Sequence, residues 1–475
     1  MTAGTTQPGP SEGPLLHHVF AMKGKAGECL MANGTENKVR ELQTKLYQAA
    51  KLSPTRRFHA LFDKVHRPDF LWRAWVDVAS NGGAPGVDGV AIDHIEERGT
   101  EGVKEFLDTL AAELEDGTYR PLPVRRVTIP KSSGGERHLG VPAVRDRVVQ
   151  AATKAVVEPI YEADFLDCSY GFRPGRSAHQ ALDAIRAEVN RGRVWVVDAD
   201  IASFFDSIRP EVLQAALEER ISDRRLLKLI MGWLRSGVMA GETLLHPETG
   251  TPQGGVISPV LANVVLHRLD RQWAAQHQRL GVLIRYADDL VVLCPTQERA
   301  EEALAALASI LAELGLSLAE AKTHVVDLRE PKAGFDFLGF HHRRVESFTR
   351  KGRYFCARWP SDRSVRRAKE RIRAVTDKRW TPLRVESIVE NLNQYLIGWR
   401  GYFAKGNSTT VFHDLDEFVA ERIARFISNK HGHHGRNYGL RVLIDHDYLG
   451  LVRLVGSIKS GPVKSVRSGP AYAVW

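Results

Sequence analysis

Residues 282–294, VLIRYADDLVVLC, decide how the rest of the sequence is interpreted. Two short apolar runs rich in β-branched residues flank Tyr-Ala-Asp-Asp, which predicts a β-hairpin with Asp288 and Asp289 at its turn. Acidic residues are poor strand formers and like charges repel, so this pair needs a physical reason. A divalent cation bound by carboxylate oxygens supplies one, and a solvated turn is the alternative, because Asp is also common in turns.

A second stretch, RVWVVDADIASFFD at 193–206, adds carboxylates of the same kind. Residues 194–197 indicate a buried strand, and Asp198 and Asp200 lie two positions apart, so both side chains leave the same face. A strand bearing an acid beside a hairpin bearing two can place three carboxylates around a metal pair. Such a pair clamps the attacking and leaving oxygens of a phosphoryl displacement, as when a 3′-hydroxyl attacks a nucleoside triphosphate.

Length, charge and cysteine content narrow the class of protein. The 475 residues suffice for two or three domains, and the net charge of +9 with a pI near 9.3 favours a polyanionic partner. The four cysteines (Cys29, Cys168, Cys294 and Cys356) are far apart, which indicates neither a disulfide framework nor a zinc knuckle. No apolar run approaches about 20 residues and no secretion signal is evident, so we expect a cytoplasmic protein with no membrane partner.

The order of three boxes identifies a family resemblance. The boxes are DIASFFD at 200–206, GTPQGGVISPVLAN at 250–263 and YADD at 286–289. In this order they resemble the bacterial reverse transcriptases of group II introns. The resemblance implies a right-hand polymerase of α+β class, with fingers and palm and an α-helical thumb. It favours Asp200 over Asp198 and so implies a catalytic, metal-binding triad of Asp200, Asp288 and Asp289. It also implies Ile201 as a metal ligand and two Mg²⁺ ions as cofactor, with Mn²⁺ as a substitute.

The resemblance also assigns five residues to the incoming deoxynucleoside triphosphate: Lys131, Arg137, Phe205, Gln253 and Lys322. Lys131 and Arg137 flank the turn of a predicted two-stranded hairpin, where cations can neutralise charge in the transition state. Phe205 stands where a ring would block a 2′-hydroxyl, an ordinary core phenylalanine being the alternative. Gln253 is implied to contact the nucleotide. Lys322 is implied to lie near the leaving pyrophosphate, a surface lysine being the alternative.

Basic and aromatic segments predict where nucleic acid binds. The segment SYGFRPGRS at 169–177 suits phosphates and stacked bases, and Arg173 and Arg176 are its predicted contacts. Residues 341–380 contain 14 Lys and Arg against 4 Asp and Glu, a net charge of +10. The run RSVRRAKERIR at 363–373 is either a solvated helix face or a surface that tracks phosphates. The contacts predicted on this run are Arg366, Arg367 and Arg371.

A last segment, NQYLIGWRGYF at 393–403, resembles the maturase-specific domain. That domain serves as polymerase thumb and binds intron RNA, here through Trp399 and Arg400. Helical periodicity also predicts an amphipathic helix over 222–235 with Ser222 as its N-cap. No cysteine follows Cys356, so we do not expect the nuclease domain with paired cysteines that larger relatives carry.

The expected organisation follows from these assignments. In chain order it is a disordered leader (1–36), an N-terminal fingers extension (37–80), reverse transcriptase fingers and palm (81–345), a thumb and maturase-specific domain (346–430) and a short tail or remnant DNA-binding segment (431–475). The expected function is RNA-directed DNA synthesis by a protein that also binds its group II intron RNA to assist splicing and mobility. Its expected partners are intron RNA, an RNA template, a DNA primer or target, and deoxynucleoside triphosphates. The alternatives are a splicing factor that no longer polymerises and a reverse transcriptase used in defence or spacer acquisition.

Overall fold

The computed structural model of this chain describes residues 26–130, 136–240, 243–245 and 254–456. These residues form two units, which are treated separately. The larger unit comprises the described residues up to 181 together with 195–325, and the smaller comprises 182–194 and the described residues from 326 onwards. Among the described helices, none combines the length and the apolar character required to cross a bilayer.

The larger unit contains twelve of the described helices, the seventh of which continues into the smaller unit. They are α1 (Ala26–Leu52), α2 (Phe62–Val65), α3 (Pro68–Asn81), α4 (Ile92–Glu96), α5 (Gly99–Glu115), α6 (Val144–Glu162), α7 (Ala178–Asn190), α8 (Phe204–Ser207), α9 (Pro210–Glu218), α10 (Arg224–Arg235), α11 (Ser258–Gln272) and α12 (Gln297–Glu313). Helix α1 begins inside the segment predicted as a leader, and residues 1–25 lie outside the described residues.

Eight described strands begin in the larger unit, and the last of them ends in the smaller. They are β1 (Val124–Pro130), β2 (Glu136–Val141), β3 (Trp195–Asp200), β4 (Val238–Ala240), β5 (Thr243–Leu245), β6 (Val282–Tyr286), β7 (Asp289–Cys294) and β8 (His324–Asp327). One sheet has the strand order β2-β1-β4-β5 and the other has the order β6-β7-β3-β8. The two predicted hairpins are both present, since β1 pairs antiparallel with β2 and β6 pairs antiparallel with β7.

Buried β-branched and aliphatic side chains hold the second sheet in place. Strand β7 is buried along most of its length and β3 at Val196, Val197 and Ala199, and α12 packs against both strands with its apolar face. Because side chains of a strand alternate between faces, a strand buried on both faces is almost wholly apolar, and Val196, Val197, Val291 and Val292 are fully buried. Asp200 and Asp289 lie at the ends of these two strands.

Helix α10 has the predicted apolar face but a different N-cap. Asp223, not Ser222, precedes the helix, and its carboxylate accepts hydrogen bonds from the backbone N–H groups of Arg225 and Leu226. It also accepts from the N–H groups of Leu61 and Phe62. Burial disfavours the charged carboxylate, yet these four backbone hydrogen bonds lower the pKa of Asp223. The cap therefore also ties α10 to the start of α2.

The smaller unit combines a three-stranded sheet with a group of helices. Its sheet has the order β11 (Arg350–Pro360), β10 (Phe340–Ser347) and β9 (Phe335–Phe337), and its helices are α13 (Asp362–Val375), α14 (Val385–Phe403), α15 (Thr409–Lys430) and α16 (Asn437–Asp445). Its core combines aliphatic side chains with a group of aromatic rings, in which Phe403 lies 4.8 Å from Phe340 and 4.6 Å from Trp399 between ring centroids. The separation of helices from largely antiparallel strands agrees with the predicted α+β class.

Candidate active site

Three carboxylates lie at the end of β3 and at the turn between β6 and β7. Asp200, the last residue of β3, is the register partner of Asp289, the first residue of β7. Asp288 precedes it in the two-residue turn that joins β6 to β7, because Tyr286 pairs with Asp289. Directly opposed residues on antiparallel strands have Cβ atoms about 5 Å apart. The site therefore gathers hard oxygen donors from two adjacent strands, a donor set that suits Mg²⁺.

Lys322 belongs to the same site. Its ammonium forms an ion pair with the carboxylate of Asp200, and the backbone N–H of Ala319 donates to the Asp200 carbonyl at 2.7 Å. Within the described part of the chain, no group of three or more His, Cys, Asp and Glu side chains is arranged to hold a metal ion. In this structure a cation of the protein itself is the partner of Asp200.

A buried arginine donates a hydrogen bond to the backbone of the turn that carries Asp288. Arg285 is fully buried, and its Nε donates to Asp270 at 2.8 Å while its Nη2 donates to the other oxygen of the same carboxylate. Its Nη1 donates to the Asn263 side-chain oxygen at 2.9 Å and to the Ala287 carbonyl at 3.0 Å. Burial opposes the charge of Arg285, but Asp270 outweighs it and raises the pKa of the guanidinium.

A segment preceding α7 closes the other side of the turn. The backbone of Arg285 donates to Cys168 O at 2.7 Å and accepts from Tyr170 N at 2.9 Å. Asn263 Nδ2 donates to the Gly171 carbonyl at 2.9 Å. A Cβ placed on Gly171 would lie only 2.5 Å from the backbone nitrogen of Ala287, so this close approach requires glycine.

The predicted nucleotide-binding residues are only partly described. Phe205 is half-buried and its ring lies 5.2 Å from that of Phe204, and Ile201 is buried and bridges to Leu318. Arg137 lies on β2, opposite Ile129. Lys131 and Gln253 lie outside the described residues. Phe205 and Lys322 both belong to the larger unit, as does Asp200.

The structure does not place Arg173 on a nucleic-acid surface. Its guanidinium is buried, pairs with Glu162, and donates to the carbonyls of Leu166 and Ser169 at 2.6 and 2.8 Å. The prediction of a phosphate contact for Arg173 is wrong, because these partners satisfy the guanidinium inside the protein. Arg176 is more accessible and pairs with the exposed carboxylate of Asp167.

The basic segment of the smaller unit has two kinds of residue. On α13, Ala368, Ile372 and Val375 are buried, whereas Arg366 and Arg367 are exposed and Arg371 is half-buried. Arg400 on α14 is half-buried and donates to the Arg453 carbonyl at 3.1 Å. Trp399 is instead buried between Phe403 and Phe412, so the prediction that it binds RNA is wrong.

Four supporting residues of the site were missed from the sequence: Gly171, Asn263, Asp270 and Arg285. Arg285 is a charge inside an otherwise apolar strand, and this signal was available. Its partner was not, because Asp270 is 15 residues away on a helix. Only the folded chain brings these residues together.

Comparison with known proteins identifies the class. Residues 129–342 match the family described as "Reverse transcriptase (RNA-dependent DNA polymerase)", and residues 365–442 match "Group II intron, maturase-specific domain". The chain therefore combines a reverse transcriptase domain with a group II intron maturase-specific domain. Protein YkfC of Escherichia coli (strain K12) is 35% identical over 353 residues, which are 66% of this chain and 90% of YkfC. The chain belongs to the family of group II intron-encoded reverse transcriptases and maturases.

Two further similarities are more limited. The group II intron-encoded protein LtrA of Lactococcus lactis subsp. cremoris is 38% identical over 215 residues, which are 45% of this chain but 35% of LtrA. A solved chain of a partial Cas6-RT-Cas1–Cas2 complex is 27% identical and covers 54% of this chain and 41% of its own length. Its TM-score of 0.33 is too low to support an inference about the fold. The predicted RNA-directed DNA polymerase of intron-encoded kind is confirmed at the level of the family.

Proposed function

We propose that this protein copies RNA into DNA at Asp200, Asp288 and Asp289, using deoxynucleoside triphosphates and two Mg²⁺ ions. The observation that carries the proposal is the pairing of Asp200 with Asp289 across adjacent strands, with Asp288 next to it in the turn. Carboxylate oxygens are the ligands that Mg²⁺ prefers in proteins. Such a metal pair would supply stabilisation of the charge on the attacking and leaving oxygens.

The surrounding side chains have separate roles in this proposal. The ring of Phe205 excludes a 2′-hydroxyl from the sugar site, and Lys322 holds a positive charge, with a transferable proton, beside Asp200. Lys131, Arg137 and Gln253 contact the nucleotide. In a right-hand polymerase, β1 and β2 would belong to the fingers, the β6-β7-β3-β8 sheet to the palm and α13–α15 to the thumb.

The smaller unit supplies the RNA-binding surface in this proposal. We assign intron RNA and the template–primer duplex to the basic face of α13, with Arg366, Arg367 and Arg371, and to Arg400 on α14. Arg176, in the larger unit, is a separate proposed contact with nucleic acid. Exposed arginines attract phosphates through charge and release counterions on binding. Arg173 and Trp399 are excluded from this surface by their burial.

Primer extension and splicing on the same preparations test the proposal. The purified protein should extend a DNA primer on an RNA template with Mg²⁺, and replacing Asp288 and Asp289 by Asn should abolish extension. The doubly substituted protein should still bind intron RNA and promote its splicing, because its basic surface is unchanged. A matched control, Glu301→Gln with Glu302→Gln on the exposed face of α12, removes the same charge and should leave extension intact.

Two outcomes would contradict this assignment. Extension by the Asn variant at the wild-type rate would place polymerisation elsewhere. Splicing without any extension by the wild-type protein would support the alternative of a splicing factor that no longer polymerises.

A further inference from the structure

The hydrogen bonds of Arg285 exceed what a buried ion pair needs. Asp270 accepts from two of its nitrogens and would compensate the buried charge by itself. The remaining nitrogen, Nη1, is directed at Asn263 and at the carbonyl of Ala287. Ala287 is in the turn, directly before Asp288. The arginine therefore links the core of the larger unit to the residue that leads into the carboxylates.

The backbone of Ala287 explains why such a link is needed. Its φ of 56° lies in the left-handed region, which primed hairpin turns use and which glycine adopts most readily. For alanine this conformation costs on the order of 1 kcal/mol and persists only where the surroundings enforce it. The bond from Arg285 to the Ala287 carbonyl is one such enforcement.

The segment on the other side of the turn supplies a second enforcement. Gly171 packs against the nitrogen of Ala287, and the Gly171 carbonyl is held by the Asn263 amide. Asn263 thus accepts from Arg285 with its oxygen and donates to Gly171 with its nitrogen. One buried side chain connects the supports on both sides of the turn.

We infer that Arg285, together with Asn263, is a positioning residue that fixes Asp288 and Asp289 for catalysis by holding the Ala287 turn. This inference rests on the proposed function of the two carboxylates. Metal-binding and reacting groups must be held within a fraction of an ångström, and a displacement of about 1 Å can lower a rate about 100-fold. The network acts on where the carboxylates lie, and both Arg285 and Asn263 are buried from solvent.

The test removes the link while keeping a packed core. In the double variant Arg285→Met with Asp270→Leu, apolar side chains replace the ion pair, an exchange that often preserves stability. The matched control is Arg220→Met with Asp164→Leu. Arg220 is also buried, pairs with a carboxylate and donates to backbone carbonyls, including Ala50 O at 2.9 Å. Thermal melting establishes that each variant is folded.

Two readouts separate positioning from a general structural role. With the full-length protein, kcat for primer extension should fall about 100-fold in the Arg285 variant while KM for the nucleotide changes little. Binding of Mn²⁺ to the protein without nucleic acid, followed by electron paramagnetic resonance, should weaken about tenfold or more. The control should match wild type in both measurements. Wild-type kcat and Mn²⁺ affinity in a folded Arg285 variant would overturn the inference.

A second variant covers the case of a folding failure. Arg285→Lys retains the charge beside Asp270 but lacks the planar fork that reaches Asn263 and Ala287 together. The same losses are expected from it. If both Arg285 variants unfold where the control stays folded, Arg285 is a folding residue and the inference is wrong. Asp288→Asn, assayed alongside, distinguishes failure of this inference from failure of the proposed function. Full activity of Asp288→Asn would overturn the proposed function itself.

Discussion

The ammonium of Lys322 lies against the carboxylate of Asp200, although 122 residues separate them in the chain. The lysine reaches Asp200 because the chain after α12 returns beside β3, where Ala319 and Ser317 bond to Asp200 and Ala202. A divalent ion that binds Asp200 would have to displace the ammonium of Lys322 from this carboxylate. Lys322 thus has two expected effects, on metal binding and on the rate of nucleotide addition.

Replacing Lys322 by Met should separate these effects. Without the competing ammonium, the Mg²⁺ concentration for half-maximal extension should fall about two- to fivefold, since an exposed ion pair contributes up to about 1 kcal/mol. The maximal rate should fall as well, because the charge and proton near the leaving group are lost. A Mg²⁺ titration of primer extension measures both quantities, with Lys228→Met on the exposed face of α10 as control. A rate and a Mg²⁺ midpoint equal to wild type would make Lys322 an ordinary surface lysine.

The half-buried ring of Phe205 should determine sugar selectivity. Phe205→Val removes the ring and should raise ribonucleotide incorporation relative to deoxyribonucleotide incorporation by about tenfold or more. The comparison is the ratio of kcat/KM values for the two nucleotides. Phe205→Tyr keeps the ring and should retain the wild-type ratio. An active Val variant with unchanged selectivity would assign Phe205 to the core beside Phe204.

The exposed face of α13 should determine the salt dependence of RNA binding. Arg366→Gln with Arg367→Gln should weaken intron RNA binding and reduce the slope of log K against log salt by about 1 to 2 units, since fewer counterions are released. The control, Arg98→Gln with Lys104→Gln, removes two cations that already pair with Glu105 and Asp108. Filter binding over a salt series gives the slope. Equal slopes in all three proteins would exclude α13 from the interface.

A buried histidine should make the smaller unit sensitive to acid. His342 is fully buried and stacked on Phe335 at 5.1 Å, with Cys356 Sγ 3.9 Å from its Nδ1. Burial, and then the electrostatic influence of Arg358 and His341, lower the pKa of His342 to about 3. The folded chain keeps the ring neutral, whereas the unfolded chain takes up a proton below its ordinary pKa of about 6.5. The unfolded state therefore binds more protons, and stability falls as the pH falls from about 6.5 towards 3.

His342→Phe should remove this part of the pH dependence. Over the window below pH 6.5, the wild-type free energy of unfolding should fall relative to the variant by up to about 1.4 kcal/mol per pH unit. The Phe ring retains the stack on Phe335. Chemical denaturation at pH 7.5, 6 and 5 gives the comparison, and parallel stability curves for the two proteins would show that His342 titrates normally.

Local pattern was sufficient for the pairing of the strands in the two hairpins, whereas the choice of Asp200 over Asp198 came from the family resemblance. The apolar runs and turn residues around Asp288 predict a β-hairpin, and the structure has that hairpin. The prediction for Ser222 failed because Asp223 can satisfy backbone groups of α2 as well as α10. A cap that serves two distant segments is invisible when only one helix is considered.

Burial explains the remaining errors. Arg173 and Trp399 have the residue types that nucleic-acid surfaces prefer, but exposure depends on what the rest of the chain packs over them. Glu162 and the carbonyls of Leu166 and Ser169 bind the guanidinium of Arg173. Two phenylalanines pack against Trp399. Composition identified the correct segments, and tertiary contacts decided which members of each segment face outward.

The support of the Ala287 turn has a consequence for protein engineering. The turn depends on Arg285 within the hairpin, but the groups that receive its hydrogen bonds and close the far side lie on α11 and in the stretch around Gly171. A chimera that borrows only residues 282–294 would import a buried guanidinium without its acceptors Asp270 and Asn263. The smallest transplantable unit is therefore a discontinuous set of three segments, and grafts between polymerases should be chosen by matching those three together.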